Sequence, residues 1–150
     1  MKRLKLVMIG NGMAGVRTLE ELLKIAPDLY DITVFGAEPH PNYNRILLSP
    51  VLAGEQTFDD IVLNDLAWYA SHGIELRLGR TVVEIDRVRR RVRADDGSSA
   101  EYDRLLIATG SRPFMLPIPG NTLDGVIGYR DIADTLSLIH ISEPTRPERI

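Results

Sequence analysis

Cysteine is absent from the 150 residues, so the chain offers no disulfide, no thiolate metal ligand and no thiol nucleophile. No apolar run approaches the roughly 20 residues that a membrane-spanning helix needs. Neither sign of charge dominates, because 18 Lys and Arg stand against 21 Asp and Glu, which gives no reason to expect nucleic acid as a partner. No signal-peptide pattern follows the first basic residues, and a cytoplasmic location is expected. With 44% hydrophobic residues, the chain is expected to be globular.

The first part of the chain alternates between strand and helix patterns. Leu4–Ile9 is a short apolar run that ends at a glycine, which predicts a buried strand of a parallel sheet. From Met13 onward apolar residues recur at helical spacing until Pro27, where the helix must stop. Ile32–Phe35 is a second β-rich run. The three segments predict a βαβ unit with a right-handed crossover.

The rest of the chain predicts a loop, one helix and several short strands. Glu38–Gln56 is rich in proline and asparagine, which indicates a loop with one short helical turn. Asn64 is expected to cap a helix over Asp65–Ser71 that is closed by Gly73. Further strands are predicted at Ile74–Leu78, Thr81–Asp86, Val92–Ala94 and Arg104–Ala108, with a turn at Asp95–Ser98.

A glycine motif lies between the first predicted strand and helix. The segment Gly10-Asn11-Gly12-Met13-Ala14-Gly15 fits G-x-G-x-x-G. In that context the first glycine makes the tight turn, the second lets a pyrophosphate approach the backbone, and the third lets helix and strand pack closely. Free N–H groups at the start of the helix, at Met13 and Ala14, favour phosphate through the helix dipole. The alternative is a purely structural turn.

Two charged side chains later in the chain suit the same ligand. Glu38 follows Gly15 at about the 20-residue distance at which dinucleotide sites place an acidic group for the ribose hydroxyls. The guanidinium of Arg45 could pair with phosphate oxygens through two hydrogen bonds. The alternatives are a solvated loop glutamate and a surface arginine.

A second marker is the predicted strand that ends in Ala108-Thr109-Gly110. Small residues there would let the backbone approach a cofactor, although an ordinary strand end explains the pattern equally well. Together with the glycine motif, this ending resembles flavoproteins related to the pyridine nucleotide-disulphide oxidoreductases, in which the first glycine motif binds FAD. The resemblance implies an α/β fold: a partial Rossmann-like FAD-binding domain with a parallel sheet, helices and a small antiparallel hairpin layer.

Within that family, Ile9–Arg17 and Asn42–Ser49 resemble the N-terminal part of the large subunits of NAD(P)H-dependent assimilatory nitrite reductases. The resemblance runs from about Lys5 to Thr135. It implies that NAD(P)H, held by a further domain, reduces FAD, and that electrons pass to an iron–sulfur cluster and sirohaem in later domains. The FAD contacts that it implies are Gly10, Gly12, Met13, Ala14, Gly15, Glu38, Arg45, Val83 at the adenine edge, Ala108, Thr109 and Gly110.

Other functions stay open at this point. The chain could belong to a stand-alone FAD-dependent reductase that serves a rubredoxin, a ferredoxin or a nitrate reductase, or to a non-catalytic nucleotide-binding module. The expected partners are a small nitrite reductase subunit or an electron-transfer protein. No catalytic acid, base or metal site is predicted, because His40 and His72 are isolated from other ligands. The arginine-rich segment 87–93 is interpreted as a solvated hairpin.

The last residues do not fit the pattern of the rest. Leu136–Arg146 resembles the in-frame translation of a transposase sequencing adapter, residue for residue. We therefore expect residues 1–135 to be a partial FAD-binding domain and residues 136–150 to be a non-native tail, in which His140 has no function. A naturally divergent tail is the alternative.

Overall fold

The computed structural model describes residues 2–142 of the chain. They form two compact units, one built from the residues up to Tyr43 together with Val62–Gly110, the other from Asn44–Ile61 and the residues from Ser111 onward. In chain order the elements are β1 (Leu4–Ile9), α1 (Met13–Ile25), β2 (Tyr30–Gly36), a 3-10 turn (Arg45–Leu47), α2 (Leu48–Leu52), α3 (Phe58–Ile61), α4 (Leu66–Ser71), β3 (Glu75–Leu78), β4 (Val82–Asp86), β5 (Arg91–Ala94), β6 (Ser99–Glu101), β7 (Arg104–Ile107) and α5 (Ile132–Ser142).

The first unit centres on a parallel sheet with the strand order β3-β2-β1-β7. β1 pairs with β2 along its whole length, from Leu4 opposite Tyr30 to Ile9 opposite Phe35, and with β7 on its other side. Because β1 is central and covered on both faces, its four buried residues, Leu6–Ile9, are an uninterrupted apolar run rather than an alternating one. The predicted class, a parallel sheet with helices and a small antiparallel layer, is confirmed.

Helix α1 packs on one face of this sheet. Its Val16 and Leu19 are fully buried in a cluster that also contains Met8 and Val34. The helix ends at Ile25, as the proline two residues later predicted. The βαβ unit thus forms where the sequence pattern placed it, and it brings the start of α1 to the carboxyl end of β1.

The antiparallel layer has three strands, in the order β4-β5-β6, and not the two that were predicted. β6 was missed because it has only three residues and none of them is β-branched or aromatic. Val92 and Ala94 of β5 are fully buried in a cluster with Val7 and Phe35, which fixes this layer on the sheet. The arginines of segment 87–93 are mainly exposed, in agreement with a solvated hairpin.

The segment predicted as a loop, Glu38–Gln56, contains more helix than expected. The 3-10 turn begins after Asn44, whose side chain accepts a hydrogen bond from the N–H of Ile46. α2 follows directly and buries Leu48 and Val51. Pro50 indicated a loop, yet it lies in the first turn of α2, where its missing N–H costs no helical hydrogen bond. The short helix α3 was not predicted.

The predicted cap of α4 was wrong by one residue. The cap is Asp65, whose Oδ1 accepts a hydrogen bond of 2.9 Å from the N–H of Trp68. Asn64 is instead buried, and its Oδ1 accepts a 2.9 Å hydrogen bond from Nδ2 of Asn42. Tertiary contact therefore takes Asn64 away from the helix end, where its residue type would also serve. Gly73 follows the helix with φ +67°, as predicted.

In the second unit, Asp131 and Asp134 cap α5 reciprocally. Oδ1 of Asp131 accepts from the N–H of Asp134, and Oδ2 of Asp134 accepts from the N–H of Asp131. The helix continues through Leu136, the first residue of the predicted non-native tail, and residues 143–150 of that tail lie outside the described residues.

Among the described helices, none has the length and apolar character needed to cross a membrane.

Candidate functional site

The glycine loop leaves β1 at the edge where the four parallel strands of the sheet end. The N–H of Gly10 donates to the carbonyl of Phe35 at 2.8 Å, and the N–H of Ala108 donates to the carbonyl of Ile9 at 2.8 Å. Gly10 has φ +103°, and a Cβ on it would overlap the carbonyl oxygen of Ala108. Both the backbone conformation and the available space therefore require glycine at the first position of the motif.

Gly15 lets α1 approach the sheet closely. It is buried, and a Cβ on it would lie 2.9 Å from both Cβ of Ala108 and Sδ of Met8. Ordinary contacts between such atoms are longer, so any side chain would push the helix away from β1 and β7. The packing function expected of the third glycine is confirmed by this geometry.

Gly12 differs from the other two glycines of the motif because the space in which a side chain would lie is open. A Cβ on Gly12 would meet no atom within 4 Å. Gly12 is the residue before α1, no side chain among the described residues caps this helix, and its first turn has no acidic residue. The first helical bond is donated by Val16, so the N–H groups of Met13 and Ala14 precede it. This open, positively polarised end suits the approach of an anion.

Glu38 is held in place rather than solvated. It follows β2 by two residues and is half-buried, and its Oε2 accepts a 2.6 Å hydrogen bond from the hydroxyl of Tyr43. Its carbonyl accepts from the N–H of Gly79 at 3.2 Å. β1 and β2 run parallel, so Glu38 and the glycine loop leave the sheet at the same edge, where ligands of open α/β sheets bind. The buried Tyr43 was not among the predicted site residues, although the sequence placed it five residues from Glu38.

Asn11, inside the glycine motif, is bound by a buried tyrosine. Its Oδ1 accepts a 2.7 Å hydrogen bond from the hydroxyl of Tyr69, and its Nδ2 donates to the carbonyl of His40 at 3.4 Å. The Tyr69 hydroxyl also accepts from the N–H of Asn42 at 3.2 Å. Burial raises the pKa of Tyr69 above its usual value of about 10, so the hydroxyl stays protonated and can donate. No sequence pattern pointed to Tyr69, because it meets Asn11 only through the fold.

The remaining predicted residues of the first unit either follow β7 or lie in β4. Ala108 follows β7 and is half-buried against Gly10 and Gly15, which explains why it is small. Thr109 and Gly110 are exposed. Val83 is 55% exposed and lies in β4 where the register with β5 shifts.

Arg45 belongs to the second unit. It is half-buried at the start of the 3-10 turn, and its guanidinium donates to the carbonyl of Arg130 at 3.5 Å. Its expected contact with phosphate is still a prediction.

The isolated histidines were not expected to bind a metal. Nδ1 of His72 lies 2.8 Å from the carbonyl of Trp68, which gives this ring a local partner at the end of α4. Within residues 2–142, no group of His, Asp and Glu side chains could hold a metal ion.

The family model described as pyridine nucleotide-disulphide oxidoreductase matches residues 4–150. Two proteins of Bacillus subtilis (strain 168), an assimilatory nitrate reductase electron transfer subunit and a nitrite reductase [NAD(P)H], are each 50% identical over 143 residues, or 95% of this chain. The chain spans 18% of the length of either relative. The crystal structure of a ferredoxin reductase from Rhodopseudomonas palustris matches with a TM-score of 0.82 and 26% identity, over 91% of this chain and 33% of that one.

Proposed function

Because the chain belongs to the pyridine nucleotide-disulphide oxidoreductase family, we propose that residues 1–135 are part of the FAD-binding domain of an NAD(P)H-dependent flavoprotein oxidoreductase. The observation that carries this proposal is the open space at Gly12, beside an uncapped helix start. Gly10 and Gly15 are glycines because the fold leaves no room for a side chain. Gly12 has room, so a bound pyrophosphate supplies the reason for glycine there.

The residues present fit FAD. The N–H groups of Gly12, Met13 and Ala14 would face the pyrophosphate, and Glu38 would accept from the adenosine ribose hydroxyls. When bound, FAD supplies the redox chemistry and accepts reducing equivalents from NAD(P)H, so the surrounding chain has to bind and orient it. The proposed further contacts are Arg45 with a phosphate or the flavin, the backbone of Val83 with the adenine edge, and Gly10, Gly15, Ala108, Thr109 and Gly110 with the wall of the site.

For the whole protein, we propose a nitrite reductase of the large-subunit type. An iron–sulfur cluster and sirohaem would lie in domains beyond this segment, as would the site for NAD(P)H, and a small subunit or an electron-transfer protein would be the partner. The 50% identity to a nitrite reductase [NAD(P)H] supports this proposal. A cytoplasmic location and a non-native origin of residues 136–150 belong to the same proposal.

A second candidate is an electron-transfer reductase without sirohaem. The equal identity of 50% to an assimilatory nitrate reductase electron transfer subunit favours it as strongly. The two candidates differ in the ligands that later domains need, because an iron–sulfur and sirohaem module requires a cluster of cysteines. Residues 1–135 contain no cysteine, so they do not distinguish the two candidates.

The test of FAD binding is Gly12→Ala in the full-length flavoprotein expressed from the source gene. The added methyl group has space in the fold, so the free energy of unfolding of the apoprotein should fall by no more than about 1 kcal/mol. The methyl group would occupy the place of the pyrophosphate, so the Kd for FAD should rise about tenfold or more. Fluorescence titration of the apoprotein with FAD and urea unfolding measure the two quantities.

The matched control is Gly97→Ala in the turn between β5 and β6. Gly97 has φ +84° and open space, so the same change costs about 1–2 kcal/mol of stability through the backbone alone. It should leave the Kd for FAD unchanged. Equal FAD affinity in Gly12→Ala and the unaltered protein would contradict the proposed site.

A further inference from the structure

We propose that Tyr69 is a positioning residue of the dinucleotide site: its buried hydroxyl fixes the Asn11 side chain, and with it the glycine loop, relative to the segment that carries Glu38. This inference rests on the proposed function. It adds to the site a residue of α4, an element that contributes nothing to the glycine motif or to the acidic position.

The hydroxyl of Tyr69 is both a hydrogen-bond donor and a hydrogen-bond acceptor. It donates to Oδ1 of Asn11 at 2.7 Å and accepts from the N–H of Asn42 at 3.2 Å. Tyr69 is only 2% exposed, so water is excluded as a replacement partner. The ring is part of the same buried cluster as Met8 and Val16, which hold it in a single place. Phenylalanine could fill this space but could make neither hydrogen bond.

Asn11 is the point at which a side chain can control the glycine loop. Its neighbours Gly10 and Gly12 have no side chains, and glycine is the residue whose backbone is least restricted. Asn11 is anchored by two hydrogen bonds, to Tyr69 through Oδ1 and to the carbonyl of His40 through Nδ2. It also lies beside the end of β2, because a Cβ built on Gly36 would be 3.1 Å from Cβ of Asn11. Loss of the Tyr69 bond would therefore leave Asn11, the one side chain between the two glycines, with only its longer hydrogen bond to the carbonyl of His40.

The same hydroxyl reaches the segment of Glu38 through Asn42. Asn42 is buried and is held on its other side by Asn64, with 2.9 Å between Nδ2 of Asn42 and Oδ1 of Asn64. The next residue, Tyr43, donates to Oε2 of Glu38 at 2.6 Å. One buried hydroxyl thus links the loop expected to hold the pyrophosphate with the segment expected to hold the ribose. A ligand that contacts both gains affinity if their spacing is fixed before it binds.

The first experiment compares Tyr69→Phe with Tyr30→Phe in the full-length flavoprotein. Tyr30 packs against the same core cluster, but it lies at the start of β2, and its hydroxyl takes no part in this network. The Kd for FAD should rise about three- to tenfold in Tyr69→Phe. It should stay unchanged in Tyr30→Phe. Equal Kd values in the two variants would overturn the inference.

A double-mutant cycle with Asn11→Ala separates positioning from a general effect on the fold. If Tyr69 acts through Asn11, Tyr69→Phe should raise the Kd much less in the Asn11→Ala background than in the native one. Independent effects that multiply would overturn the inference. If Tyr69→Phe does not fold, Asn11→Ala alone is the test: a raised Kd supports the inference, and an unchanged one overturns it. Failure of the unaltered protein to bind FAD would instead remove the proposed function, and the inference with it.

Discussion

Gly10 and Gly12 are separated by one residue, yet their surroundings predict opposite responses to the same substitution. Gly10→Ala would place a methyl group on the carbonyl oxygen of Ala108 at a backbone angle of φ +103°. We expect its free energy of unfolding to fall by about 3 kcal/mol or more, which is the range of steric overlap added to backbone strain. Urea unfolding measures the loss.

Gly97→Ala is again the control for Gly10→Ala, because it has positive φ without the overlap. Its loss should be about 1–2 kcal/mol, the part that comes from the backbone angle. If the two variants lost the same stability, the close approach of β1 and β7 at Gly10 would be wrong.

The raised pKa of Tyr69 makes a prediction about stability in alkali. Burial favours the neutral hydroxyl in the folded state, so folded protein binds more protons than unfolded protein above the unfolded pKa of about 10. The contribution of Tyr69 to stability is therefore complete below pH 10 and is lost as the pH rises from there through the folded pKa. Tyr69→Phe should show a shallower loss of stability above pH 10 than the unaltered protein. Parallel curves in urea unfolding from pH 8 to 11 would contradict this.

Residue type and spacing were enough to find the glycine loop and Glu38, because their geometry is local. Gly10 directly follows β1, Gly15 lies in the first turn of α1, and Glu38 follows the end of β2. Asn11, Tyr43 and Tyr69 could not be found in the same way. Tyr69 is far from Asn11 in sequence, and only the packing of α4 against the sheet brings its hydroxyl within 2.7 Å.

At the scale of elements, the patterns predicted what is periodic and missed what depends on tertiary contact. α1 and β1 were predicted with nearly correct bounds, because the positions of their apolar residues follow from which side chains are buried. One short helical turn was expected within Glu38–Gln56, but the bounds of α2 were not predicted, because Pro50 is compatible with a helix only where it falls in the first turn. At α4, Asn64 and Asp65 are equally good caps by type, and only the buried contact with Asn42 decides between them.

The packing of α1 predicts which of its side chains matter for stability. Leu19 is fully buried on the sheet, so Leu19→Ala should lower the free energy of unfolding by about 2–5 kcal/mol through lost burial and a cavity. Ile25, in the same helix, is 81% exposed, and Ile25→Ala should change it by less than about 0.5 kcal/mol. Chemical denaturation of both variants checks this. A similar loss in both would mean that α1 buries a different face.

At the scale of the whole molecule, the fold alone does not choose between the two candidate functions. The chain has 50% identity to both relatives and spans 18% of each. Its described residues contain the proposed site for the adenosine and pyrophosphate parts of FAD, and the two candidates would share that site. What separates them is the acceptor to which the flavin passes its electrons, and that depends on ligands that are not in residues 1–135.

The DNA of the source gene across codon 135 tests both the tail and the function. Asp131 and Asp134 cap α5 before the proposed junction, so the native sequence should continue this helix with residues other than those of Leu136–Arg146. A second glycine motif followed by clustered cysteines would support the nitrite reductase type, because thiolates are the ligands that an iron–sulfur cluster requires. A second glycine motif without cysteines would support the electron-transfer reductase. If residues 136–150 are found in the genome, the adapter interpretation is wrong, and α5 with its continuation belongs to the native protein.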